Sequence, residues 1–98
     1  MKLKLSSTRS ARTQLKDACN YIKKDSEVNA EKVRKKILAA SRLLPLHPKK
    51  HPTDKYKLNN DGRHGTFIQY RYRNSYKIQE SGITIIRIRH TSMEPLEY

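Results

Sequence analysis

Apolar residues recur along this chain with two periods, and the change from one to the other divides it into a helical half and a strand half. Residues Lys2 to Ser6 alternate charge and leucine, the period-2 pattern of a half-buried strand. Ser6, Ser7 and Thr8 then offer hydroxyl oxygens that can cap the first amides of a helix. Ala11, Leu15, Ala18, Cys19 and Ile22 follow at helical spacing, predicting a first helix from about Thr8 to Lys24. Lys24-Asp25-Ser26 is a short polar link. Beyond it Val33, Ile37, Ala40 and Leu44 line one face of a second helix and Glu31, Lys35 and Arg42 the other, until Pro45 and Pro48 stop it. Two amphipathic helices on so short a link form an antiparallel hairpin.

Pro45 to His64 reads as a long loop, holding prolines, the turn signal Asn59-Asn60-Asp61-Gly62 and the run Lys49-Lys50-His51. A loop of that length in so small a chain is usually functional or mobile. From Thr66 the period returns to two. Ile68, Tyr70, Tyr72, Tyr76 and Ile78 share one parity; Gln69, Arg71, Arg73, Ser75 and Lys77 share the other. Asn74 falls on the apolar parity and breaks it, so a hydrogen bond local to the sheet or helix is expected to offset its burial. Gln79-Glu80-Ser81-Gly82 is a hairpin turn. Ile83 to His90 is a β-branched strand, with Ile86 and Ile88 predicted on one face and Arg87 and Arg89 on the other. Pro95 sits in a short tail ending at Tyr98. The expected fold is α+β, one domain over residues 1–98 in the order β-α-α-β-β-β. The helix hairpin packs on one face of an antiparallel sheet of about four strands, and Arg73, Lys77, Arg87 and Arg89 project from the other.

Charge adds a partner to this picture. Lys and Arg number 22 against 9 acidic residues, a formal net charge of +13. Self-repulsion at that density disfavours a mere solubilising coat and points to a polyanionic partner. The six tyrosines and the patterned aliphatics argue against disorder, although 32% of residues are charged. Cys19 is the single cysteine, which excludes an intrachain disulfide and a thiolate metal cluster. His47, His51, His64 and His90 are scattered without carboxylate or thiol partners at ligand spacing, and three glycines cannot build a phosphate-cradling loop. No metal or cofactor is therefore expected. Met1-Lys2-Leu3-Lys4-Leu5 lacks the apolar core of a signal peptide, and no apolar run approaches the roughly 18 residues of a membrane span. The expected location is the cytoplasm, with no membrane partner.

Several short pieces carry a family resemblance. They are Tyr21-Ile22 followed by Asp25-Ser26 at the helix junction, and Leu43-Leu44 with Pro48 closing the second helix. On the strands they are Tyr72-Arg73 and Tyr76, then Ile85-Ile86-Arg87-Ile88 leading to His90. In their order and spacing, over essentially the whole chain, they resemble the RelE/ParE toxins of bacterial type II toxin–antitoxin systems. The resemblance implies two helices against a four-stranded antiparallel sheet and a cognate antitoxin encoded beside the toxin. Against this charge the antitoxin should be acidic, with an extended or helical segment, disordered when free, that wraps the toxin. It leaves two targets open: RelE-like members cut mRNA in the ribosome, and ParE-like members poison DNA gyrase.

Metal-free RNA cleavage needs a base, an acid for the leaving oxygen and cations on the phosphorane. Arg73 corresponds to the Tyr-Arg of RelE-like enzymes, whose Arg contacts the scissile phosphate. His90 has an imidazole suited to acid or base work, although a His at this point also occurs in ParE-like members without nuclease activity. Tyr98 matches the C-terminal Tyr of RelE-like and YoeB-like enzymes, but Glu94-Pro95-Leu96-Glu97 is acidic where RelE carries a basic stretch. Arg87 and Arg89 suit bidentate phosphate binding, with Lys77 on their face. Lys49 and Lys50 lie close in sequence to RNA-binding lysines of several RelE-like enzymes. A site ringed by ribosomal phosphate gains from each added cation, whereas a gyrase surface has less need of them. Charge therefore puts a ribosome-dependent, metal-independent mRNA endonuclease first, and a ParE-like toxin that inhibits gyrase by binding alone as the alternative.

Overall fold

The computed structural model describes residues 3–94, 97 and 98; Lys2, predicted to open the first strand, and Pro95 and Leu96 of the tail lie outside the described residues. The elements are β1 (Lys4–Ser7), α1 (Arg9–Lys23), α2 (Glu27–Leu43), β2 (His64–Gln69), β3 (Tyr72–Gln79), β4 (Gly82–His90) and a final 3-10 turn, Thr91–Met93. Two hydroxyls start the helices. From extended cap residues, the Thr8 Oγ1 accepts from the Ala11 amide at 3.0 Å and the Ser26 Oγ from the Asn29 amide at 3.1 Å, first-turn amides that the helix itself cannot serve.

The sheet runs β1-β4-β3-β2. β2, β3 and β4 pair antiparallel, as expected of strands joined by tight turns. β1 pairs parallel with β4, Lys4 opposite Gly82 through Ser7 opposite Ile85, so the sheet is mixed. The helix hairpin and the two strands that follow it supply the long crossover that a parallel pair requires. Gly82 permits the contact, because a Cβ there would sit 2.1 Å from the Lys4 carbonyl oxygen. The hairpin covers one sheet face. Ala11 and Ala18 of α1, with Val33 and Ile37 of α2 and Leu44 beyond it, close on Phe67, Tyr72, Tyr76, Ile83, Ile85 and Ile88.

Two irregularities change which residues reach that core. Tyr70 and Arg71 have φ of 50° and 67° and turn the chain between β2 and β3. Two successive positive φ angles are what a type I′ hairpin requires, and the usual Asn-Gly signal is absent here. The parity therefore restarts at the turn: Phe67 is 5% exposed, whereas Ile68, expected on the core face, is 51% exposed and pairs with Arg73. A bulge in the β3–β4 ladder then sets Tyr76 opposite Ile85 but Ser75 opposite Arg87, leaving Ile86 as the extra residue. Ile85 joins Ile88 in the core in place of Ile86. Asn74 is fully buried, and its Nδ2 donates to the Tyr72 carbonyl at 2.9 Å while its Oδ1 has no partner among the described residues.

Candidate functional site

Because β3 and β4 alternate, the side chains that do not meet the helices form a second face. Its register sets Arg73 opposite Arg89 and Ser75 opposite Arg87 on β4, and Thr66 opposite Ser75 on β2. Like charges directly opposite each other destabilise a sheet unless a counter-anion intervenes. Here one carboxylate from outside the sheet pairs with Arg73, and a second lines the same cavity. Glu94, just past the final turn, is ion-paired to the Arg73 Nε. Asp54, 2% exposed, comes from the loop after α2.

That loop is fastened to the outer edge of β2. The Asp54 amide donates to the His64 carbonyl at 2.8 Å, the Thr66 amide to the Pro52 carbonyl at 3.0 Å, and the Asn60 Nδ2 bridges the Asp54 and His64 carbonyls. The loop in turn holds Tyr98, whose amide donates to the Tyr56 carbonyl and whose carbonyl accepts from the Leu58 amide. The Tyr98 hydroxyl donates to the Asp54 Oδ2. Its ring lies over the Arg87 guanidinium at 4.4 Å, and the Tyr56 ring lies 5.2 Å from that of Arg73. Tyr56 also donates its hydroxyl to the Glu94 Oε2 at 3.2 Å. Between these groups remains a cavity of about 10 Å³, room for at most one water.

The protonation states follow from this packing. Burial and the bond to Asp54 push the Tyr98 hydroxyl far above the ordinary tyrosine range, so at neutral pH it is a donor already in use. The hydrogen bond from Arg73 holds Glu94 below the usual carboxylate range, so it is charged. Burial lowers the His64 imidazole, and its Nδ1 has no partner among the described residues.

The structure brings together only part of the set expected from sequence. Arg73, Tyr98, Arg87 and Arg89 line the same cavity. Lys77 shares their sheet face, paired in register with Thr84 and His64, but does not line that cavity. His90 is elsewhere. It lies opposite Tyr72 in the ladder, edge-on to that ring at 5.1 Å, and its Nδ1 accepts from the Ser92 amide at 3.0 Å to cap the final turn. It lines a hollow on the helix side with Gln14, Asp17, Tyr21 and Met93. Lys49 and Lys50 are exposed beside His47 and Pro48 in a separate shallow hollow. Asp54 and Tyr56 were not among the residues singled out from sequence. The acidic residue Glu94 was the one hint that this basic face carries its own counter-ions.

Two helices over one face of a β1-β4-β3-β2 sheet, with arginines on the other, are the architecture expected of the RelE/ParE class. A family model described as the ParE toxin of the type II toxin–antitoxin system, parDE, matches residues 5–95. The chain belongs to this family of ParE toxins. Among solved structures, one described as the chromosomal ParDE TA system from P. aeruginosa is similar in fold, with a TM-score of 0.71 at 16% identity. That match covers 91% of this chain and 96% of the other. No curated protein matches the chain.

Proposed function

We propose that this toxin arrests growth by binding DNA gyrase, without chemistry of its own, and that an acidic cognate antitoxin holds it in check. One observation carries the reading: Arg73, His90 and Tyr98 do not converge on a common point. Arg73 and Tyr98 are each engaged by a carboxylate of the same chain, and His90 caps a turn on the opposite side of the sheet. General acid–base cleavage needs an acid and a base within hydrogen-bond reach of one phosphate. Charge alone, which favoured the endonuclease, supplies attraction to the ribosome and no proton transfer. Membership of the ParE family supports the gyrase reading, since ParE-like members act there. The antitoxin follows from the same membership, and at +13 an acidic segment is the complementary partner. Both targets lie in the cytoplasm.

Primer extension on a defined mRNA with purified ribosomes tests the catalytic half. Intact mRNA is the expected result for the protein and for Arg73→Ala alike. Discrete A-site cuts that vanish in Arg73→Ala would instead establish the endonuclease and place Arg73 in its site.

A further inference from the structure

The turn between β2 and β3 is built from residues that its backbone does not favour. Tyr70 and Arg71 hold φ of 50° and 67°, the left-handed pair of a type I′ turn, where Asn-Gly would sit without strain. What fastens the turn is backbone: the Thr91 amide donates to the Arg71 carbonyl at 2.8 Å, a bond that Asn-Gly would keep. The two side chains are exposed and make no hydrogen bond, ion pair or ring contact among the described residues. Stability therefore gives no reason for a tyrosine and an arginine here. Strain kept in an exposed turn points instead to a use for its side chains.

The same end of the sheet carries the other parts of a protein-binding surface. Arg71 precedes Tyr72, which with Ile88 is a buried member of the hollow on the helix side, about 540 Å³ in volume. Tyr21 and Met93 line that hollow and remain 70% and 60% exposed. Interfaces concentrate Tyr, Met and Arg, and a hollow with apolar members receives a partner's anchoring side chain. Charge then selects the partner. Lys24 has its Nζ 5.9 Å from the Tyr21 ring centre, and the Arg89 Nη2 donates to the Met93 Sδ at 3.6 Å. Neither of these cations, nor Arg71, has a carboxylate partner among the described residues, against Asp17 in the hollow. We infer that the Tyr70-Arg71 tip, together with Tyr21 and Met93, is the surface by which the toxin grips its protein target, through acidic side chains set around an apolar anchor. This inference deepens the gyrase reading and rests on it.

The test is inhibition of supercoiling by purified gyrase, read as the half-inhibitory concentration beside the Tm of each variant. Tyr70→Asn/Arg71→Gly relieves the strain, so its Tm should rise while its inhibition weakens at least roughly tenfold, the loss of a central contact. A gain in stability joined to a loss of inhibition is a signature that damage to the fold does not produce. Lys36→Gln/Leu46→Ala removes the same charge and an exposed apolar side chain on and beyond α2, and should change inhibition by less than about twofold. If the turn variant does not fold, Tyr21→Ser/Met93→Ala alters two exposed positions and should also weaken inhibition at least roughly tenfold. Undiminished inhibition by the folded turn variant overturns the inference and leaves the gyrase reading standing. A loss that Lys36→Gln/Leu46→Ala reproduces overturns it too. So does a turn variant that inhibits fully but escapes the antitoxin, since the surface then belongs to the antitoxin. A wild-type protein that leaves supercoiling intact overturns the gyrase reading and this inference with it.

Discussion

Replacing Tyr98 by Phe removes one oxygen and asks whether the covering network holds this end of the chain in place. That hydroxyl donates to Asp54, a carboxylate 2% exposed whose other oxygen accepts, among the described residues, from the Tyr56 amide at 3.0 Å. Hydrogen bonds to a charged group contribute about 1.5–3 kcal/mol, most of it the cost of leaving the partner buried and unsatisfied. The ring stays, so its packing over Arg87 is retained. A loss of about 2 kcal/mol in a chain of this size lowers Tm by roughly 8–16 °C. Thermal unfolding followed by circular dichroism at pH 7 reads the loss directly. A double-mutant cycle with Asp54→Asn then isolates the pair, for which a coupling of at least about 0.5 kcal/mol is expected. A substitution on a solvated tail stays within about 0.5 kcal/mol. A Tyr98→Phe effect that small, or additive effects in the cycle, would refute the anchoring.

Gly65→Ala places a Cβ 2.5 Å from the hydroxyl of Tyr76, a fully buried ring bonded to the Pro48 carbonyl. Overpacking should cost about 1–3 kcal/mol in denaturant unfolding, whereas a strand glycine free of contacts would gain from the same change. Tyr70→Asn with Arg71→Gly relieves two positive φ angles and should stabilise the protein by roughly 1–2 kcal/mol, with no gain expected if the turn is not left-handed. Glu94 is depressed in the folded state by Arg73, so its contribution is present above its ordinary pKa and is lost as pH falls through the folded value. The Tm gap between wild type and Glu94→Gln should therefore be open at neutral pH and close in acid; a gap independent of pH contradicts the ion pair.

The helices were fully legible in the sequence, because Ala11, Ala18, Val33 and Ile37 repeat at the period of the face they bury, and Thr8 and Ser26 are hydroxyls in the right places. The strands were legible as strands but not as faces. Parity carries a face assignment only while the chain stays regular, and it failed at the two breaks that no local composition marks: the Tyr70-Arg71 turn, which exposed Ile68, and the bulge that exchanged Ile85 for Ile86. The parallel pairing of β1 was hidden for another reason, since a four-residue strand shows its period but not its partner's direction. At the site, Arg73, Arg87 and Arg89 could be placed together from alternation. Asp54 and Tyr56 could not, because they arrive through a loop whose path depends on hydrogen bonds to the β2 edge. His90 was grouped with Arg73 by its chemistry, not its position; one residue beyond Arg89 in a strand, it lies on the opposite face.

The measurement closest to the central claim is supercoiling by purified DNA gyrase titrated with this protein, with and without its antitoxin. The account predicts dose-dependent loss of supercoiling that the antitoxin restores and that Arg73→Ala, His90→Ala and Tyr98→Phe variants retain when folded. Undiminished supercoiling by a preparation that still arrests growth would contradict it and return the ribosome to first place.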